Sequence, residues 1–241
     1  MAKSDPVPST FVDVDGLGRD YGDNTALESL DLKVAIGEGV AFVGQNGSGK
    51  TTALSMIAGR LDPTRGTVRI AGKDIHDRQV AISVRSMISF VPDAPALYPD
   101  LTVLDHLQIV GFAHGVENVD DRSAELLTRL GLETRSHLLP RELSRGMRQK
   151  TQLACALLRP SRVLMLDEPV SGLDQGSRRE LFAVLSEAKV GGAAVLLSTH
   201  QIDFVDGLVD TVVVLDQGSV AKIGTYGEVM KDGVVRELGL L

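Results

Sequence analysis

Gly44-Gln45-Asn46-Gly47-Ser48-Gly49-Lys50-Thr51 follows the apolar run Val40-Ala41-Phe42-Val43 and leads into residues of helical character. A buried strand, a glycine-rich loop and a helix, in that order, make a phosphate-binding P-loop. The glycines let the chain turn so that successive N–H groups face an anion, and the helix N-terminus adds partial positive charge. Lys50 places a cation on the β- and γ-phosphates of a nucleotide. The Thr51 hydroxyl can ligate Mg²⁺, and Thr52 reaches the α-phosphate. The helix is expected from Gly49 to about Ala58, stopping at Gly59.

Working outward, residues 11–42 alternate apolar and polar positions and read as strands, with turns at Asp15-Gly16 and Gly37-Glu38-Gly39. Thr67–Ile70 and Met87–Val91 have the pattern of further strands. Between Pro95 and Pro160 the pattern becomes helical: Thr102-Val103-Leu104-Asp105 opens a helix, Ser123–Leu130 closes at Gly131, and Ser144 starts a helix that ends before Arg159-Pro160. Strand and helix then alternate through Val163–Leu166, Ser177–Ala188, Ala193–Ser198 and Val212–Leu215. The fold class is α/β: a P-loop core with an N-terminal antiparallel β region and an inserted α-helical subdomain. Residues 11–231 form one expected domain, with its core in 11–92 and 160–231, its helical subdomain in 93–159, and a short C-terminal tail at 232–241. Repeats, low-complexity tracts and coiled-coil insertions are absent from the pattern.

Composition narrows the function. A hydrophobic share of 43% over 241 residues suits a globular chain with a substantial core. The longest apolar runs have strand length and fall short of the ~20 residues of a membrane helix. The opening Met-Ala-Lys-Ser-Asp-Pro lacks the apolar core of a leader, so a cytoplasmic location is expected. The single cysteine, Cys155, rules out internal disulfides and a cysteine-based zinc site; beside Ala154 and Ala156 it reads as a buried, inert thiol. A net charge of −7 argues against nucleic acid as the main partner.

Asp167 and Glu168 end the apolar strand Val163-Leu164-Met165-Leu166, so two carboxylates emerge at the edge where α/β sheets bind ligands. Mg²⁺ takes few protein ligands, so Asp167 would hold it through water, while Glu168 would polarise the attacking water. Ser144 caps a helix whose first N–H groups are free for an anion. His200 follows the next strand at the same edge. His76, His106, His114 and His137 read as incidental.

The ordered set of P-loop, Leu143-Ser144-Arg145-Gly146-Met147, Val163–Pro169 and His200 resembles the nucleotide-binding domain of an ATP-binding cassette (ABC) transporter, from about Phe11 to about Lys231. The resemblance implies that Gly44, Gln45, Asn46, Gly47, Ser48, Gly49, Lys50, Thr51 and Thr52 bind ATP. It makes Asp167 the Walker B aspartate, Glu168 the catalytic glutamate, and His200 the switch histidine at the γ-phosphate. Ser144, Arg145 and Gly146 would contact the γ-phosphate of ATP held by a second subunit. Arg145 and Met147 depart from the usual Leu-Ser-Gly-Gly-Gln, and Arg145 would add its own attraction for that triphosphate. Ser171-Gly172-Leu173-Asp174 matches the D-loop, which places Asp174 at the subunit interface. Tyr21 is the residue expected to stack on adenine, worth roughly 1–3 kcal/mol.

A second departure lies at Val91-Pro92-Asp93, where the family usually places Gln as a sensor of Mg²⁺ and of the membrane partner. Asp93 becomes a candidate metal contact and resembles the branch serving exporter permeases. The resemblance thus implies a Mg-ATPase subunit that closes head to tail as a homodimer. It would dock through residues around 93–115 on a separate integral membrane permease, at the cytoplasmic face of the membrane. The alternative is a soluble ABC ATPase of DNA repair, translation or cluster assembly, but the long insertions or second cassette of those relatives are missing from this pattern. A scaffold with a dead P-loop is disfavoured by Lys50, Glu168 and His200.

Overall fold

Val40 to Val43 are all buried, and their side chains divide between two apolar clusters: Val40 and Phe42 join one, Ala41 and Val43 the other. That period of two, with both faces covered, is why the strand reads as a continuous apolar run and not as an alternation. The computed structural model describes residues 10–79 and 81–240, so the opening residues read above for a leader lie outside it.

The N-terminal half holds β1 (Val12–Tyr21), β2 (Asn24–Val34), β3 (Gly39–Val43), α1 (Lys50–Ile57), β4 (Arg65–Ile70), β5 (Lys73–Asp74), α2 (Ala81–Arg85) and β6 (Ile88–Val91). Three helices follow, α3 (Val103–Ala113), α4 (Val119–Arg129) and α5 (Arg145–Leu158), and pack on one another. The remainder is β7 (Val163–Leu166), α6 (Gln175–Val190), β8 (Ala194–Thr199), β9 (Thr211–Asp216), β10 (Ser219–Gly224), α7 (Tyr226–Asp232) and α8 (Val234–Glu237).

One sheet has the order β10-β9-β3-β8-β7-β6, parallel except for β10; the other, β2-β1-β4-β5, is antiparallel. Between the sheets lies α1, whose Ala53, Leu54, Met56 and Ile57 are fully buried against Val12, Leu30, Phe42 and Met165. Burying a side chain of that size contributes about 1.5–3 kcal/mol, so α1 is fixed firmly behind the P-loop. The opposite face of the parallel sheet packs on α5 and α6 through Leu153, Leu158, Leu181 and Leu185.

The expected α/β class, antiparallel region and helical insert are all present. One expected turn is different. At Asp15-Gly16 the chain does not reverse: Gly16, at φ 57°, makes a bulge within β1, where register shifts between Val14 and Leu17. The same Asp-Gly pair serves either purpose, since both need a positive φ. Here the Gly16 N–H is held by Asp31 Oδ1 at 2.8 Å, and the reversal comes instead at Gly22-Asp23. Helices α4 and α6 also run longer than expected. The Asp174 carboxylate caps α6 by accepting from Ser177 N, which moves its start ahead of Ser177. The stretch 232–241 carries α8, with Val235 and Leu240 buried in the core.

Candidate active site

Register brings the functional loops to one edge. Val43 of β3 aligns with Thr199 of β8, Leu197 of β8 with Leu166 of β7, and Leu166 with Val91 of β6. The residues that follow these strand ends, Gly44, His200, Asp167 and Asp93, therefore leave the sheet side by side, at its C-terminal edge.

The P-loop is tied to its neighbours. Gly49 has φ 103°, and a Cβ there would lie 2.6 Å from the carbonyl oxygen of Ala26 in β2. Only glycine fits that backbone and that approach. Gly218, in the β9–β10 turn, donates its N–H to Ser48 O at 3.2 Å, closing the loop from the other side. Lys50 is buried; its Nζ donates to Gly44 O at 2.8 Å and Gln45 O at 3.0 Å. Gln45 Nε2 in turn donates to Leu238 O at 2.6 Å, so the segment after α8 touches the P-loop.

The two carboxylates after β7 have separate surroundings. Asp167 Oδ1 accepts from the Thr51 hydroxyl at 3.0 Å and from the buried Ser198 hydroxyl. Ser198 Oγ also accepts the Glu168 N–H at 2.9 Å. Glu168 is one of four non-glycine residues in the left-handed region among the described residues, at φ 46°. Such a conformation costs of order 1–3 kcal/mol and persists only where the surroundings enforce it. Its Oε2 accepts from His200 Nδ1 at 2.8 Å and from His200 N at 3.3 Å, which assigns the ring proton to Nδ1. Nε2 of the same ring faces the Gln201 amide at 3.3 Å. The other oxygen, Oε1, lies 3.3 Å from Lys50 Nζ and is buried without a hydrogen bond. A buried carboxylate oxygen left in this state, beside a cation, is positioned to accept from a water molecule.

Part of this set lines a cavity of about 490 Å³, whose wall includes Gly47, Lys50, Thr51, Thr52, Asp93 and Glu168, whereas Gly44, Gln45, Ser48, Asp167 and His200 are not on its wall. Asn24, Thr25 and Ala26 of the β1–β2 hairpin and Gln217 of the β9–β10 turn complete it. None of those four was suggested by the sequence, for no local motif marks them. Ser198 was legible in principle, as a polar residue inside an apolar strand. Gln149 of α5, buried though it lies in a polar stretch of sequence, donates its amide to Glu168 O at 3.3 Å and Pro169 O at 3.2 Å.

Tyr21, Ser144, Arg145, Gly146 and Asp174 do not line this cavity. Tyr21 ends β1 half exposed, with the Arg19 guanidinium carbon 4.6 Å from its ring centroid. Ser144 caps α5 as expected, its hydroxyl accepting from Met147 N at 3.2 Å. Arg145 pairs with Asp93 at 3.3 Å. Ser177, through its N–H and then its hydroxyl, holds the Asp174 carboxyl below the usual carboxylate range. Of the residues read as incidental, His106 is structural: Nε2 accepts from Tyr98 N at 2.9 Å and Nδ1 bonds Thr102 O at 2.7 Å. Burial raises the Cys155 thiol to about 12, which keeps it inert at neutral pH.

A phosphate-binding loop, a buried lysine and paired carboxylates at the edge of a parallel sheet define a P-loop nucleoside triphosphatase. The chain belongs to the ABC transporter family, whose profile matches residues 27–171, and it is an ATP-binding subunit with ATPase activity. It is similar to the ABC-type transporter ATP-binding protein EcsA of Bacillus subtilis, 32% identical over 96% of both chains. The SkfA peptide export ATP-binding protein SkfE of the same organism is 33% identical over 87% of each. Among solved structures, the dimeric ADP- and phosphate-bound ATP-binding cassette MJ0796 is 25% identical, with a TM-score of 0.82, covering 89% of this chain and 98% of that one.

Proposed function

We propose that this subunit hydrolyses Mg-ATP in a head-to-tail homodimer and drives export through a separate membrane permease at the cytoplasmic face. The observation that carries the dimer is the position of the segment Leu143-Ser144-Arg145-Gly146-Met147. Ser144 and Gly146 stand outside the cavity formed by their own P-loop. A Cβ at Gly146 would meet nothing in its own chain nearer than Gly172 O at 3.5 Å, an ordinary contact. Glycine at this position therefore answers to no packing demand within the chain, which fits a demand from outside it: the triphosphate bound by a second copy. On this reading Tyr21 stacks on the base, and Asp174 lies across the interface.

The donor set suits Mg²⁺, a hard cation that takes few protein ligands and keeps several waters. Thr51 Oγ1 and Asp167 Oδ1, already 3.0 Å apart, would hold it, the carboxylate through water. The ion would neutralise phosphate charge. Lys50 would add its own charge at the β- and γ-phosphates, and Glu168 Oε1 would take the proton of the water that attacks the γ-phosphorus as the bond to ADP breaks. His200 would hold the Glu168 carboxylate in position through Oε2.

A second cavity, of about 660 Å³, supports permease docking. Arg60, Arg85 and Arg159 line it around Phe90, with the Arg60 guanidinium carbon 4.8 Å from the Phe90 ring centroid. Tyr98, Ile109 and Phe112, all exposed, fall within the segment 93–115 expected to meet the partner. Aromatic residues and arginine are both enriched at protein interfaces. The direction of transport rests on the likeness to SkfE and on Asp93.

Among the described residues no helix is long and apolar enough to cross a membrane. Membrane attachment is therefore expected to need the permease. Expressed alone, the chain should stay in the supernatant after ultracentrifugation; co-expressed with its cognate permease, it should sediment with membranes. Recovery in the supernatant in both cases, together with tight binding to DNA or ribosomes, would replace transport with a soluble ABC role.

A further inference from the structure

Arg145 is the first residue of α5, a helix with no acidic residue in its first turn. A cation there opposes the partial positive charge of the helix N-terminus and is disfavoured by it. The position needs an anion, and in the single chain that anion is Asp93: Nη2 of Arg145 donates to Asp93 Oδ1 at 3.3 Å. The arm of Arg145 folds back along its own chain, its Cδ 3.8 Å from where a Cβ on Gly172 would be. Asp93 in turn is one of two acids on the wall of the nucleotide cavity. The other, Glu168, already has Lys50 and His200 beside it. Asp93 and Arg145 are also the acidic and basic departures from the family's usual glutamine and glycine, 52 residues apart in sequence.

We propose that the Asp93–Arg145 pair is an electrostatic latch on dimer closure, in which Asp93 holds within the chain the guanidinium that the partner's triphosphate needs. This rests on the head-to-tail reading above. In the open monomer Arg145 is turned toward Asp93 and its charge is neutralised. Closure exchanges that carboxylate for phosphate oxygens of ATP on the second copy. The latch therefore opposes closure until a more strongly charged anion arrives. Both side chains are about half exposed, so the pair is screened by salt and is worth no more than an ordinary surface bridge, a factor of roughly two to five.

The test uses the full chain carrying Glu168→Gln, so that closure is read without turnover, and measures dimer fraction against Mg-ATP concentration by analytical ultracentrifugation. Asp93→Asn, which keeps the shape and removes the charge, should lower the ATP midpoint roughly two- to fivefold, with the gap narrowing at high salt. Arg145→Ala should raise the midpoint. The exchanged pair, Asp93→Arg with Arg145→Asp, should restore the contact within the chain yet fail to dimerise, because it presents an acid to the partner's triphosphate. A purely structural bridge would instead be rescued by the exchange, and that rescue would overturn the latch. So would an Asp93→Asn midpoint equal to or above the parent's. A parent with no ATP-dependent dimer at all would instead remove the head-to-tail reading, and the latch with it.

Discussion

Glu168→Gln should cut ATP turnover by ~10²–10⁴-fold while ATP still binds. Glutamine keeps the length of the side chain, and its amide oxygen can still accept from His200, the contact now made by Oε2 at 2.8 Å. What is lost is the base. The second carboxylate oxygen, buried beside Lys50 without a hydrogen bond, is the one free to take a proton. Removing the negative charge also relieves repulsion with the γ-phosphate, so the closed state should gain stability. With Mg-ATP the variant should accumulate as a nucleotide-trapped dimer, seen as an early peak in size-exclusion chromatography and as loss of phosphate release. Wild-type turnover with no such peak would place the base elsewhere.

Lys50→Ala should fail at an earlier step. Hydrogen bonds from a charged group are worth about 1.5–3 kcal/mol, so ATP affinity should fall roughly 10- to 150-fold. The loop should suffer even without nucleotide, because Nζ now bridges Gly44 O, Gln45 O and the Glu168 carboxylate. Taking the lysine away leaves Glu168 Oε1 buried next to no cation, the costly half of a broken ion pair. The variant should therefore bind ATP weakly in isothermal titration calorimetry, remain monomeric at ATP concentrations that close Glu168→Gln, and melt below the parent. Wild-type affinity would mean that the loop backbone and the helix end suffice to hold the phosphates.

Much of this was legible in the sequence because it is local. Gly44 to Thr51 carry their own turn chemistry. The apolar runs before Asp167 and His200 are buried strands that could end only at the ligand edge. Ser144 capped α5 where a serine before an amphipathic stretch should. What escaped is what depends on distant contacts. Asn24 and Gln217 meet across the nucleotide cavity only because two sheets fold over α1. In sequence Arg145 reads as reaching outward, and its partner, Asp93, is a neighbour only through the packing of α5 against β6. Strand β10 alternates weakly with partial burial, and α7 and α8 are too short for helical periodicity to show. In sequence Asp15-Gly16 reads as a reversal, because its signal is the same for a turn and for a bulge.

The single cysteine has a practical consequence. With its thiol raised to about 12, Cys155 stays protonated at pH 7, and maleimides or spin labels react with thiolate. A new cysteine at an exposed position such as Ile82 or Val190 would ionise near 8.5 and react much faster. Fluorescent or paramagnetic reporters of subunit motion can therefore be attached in the native background, without first removing Cys155 and disturbing α5.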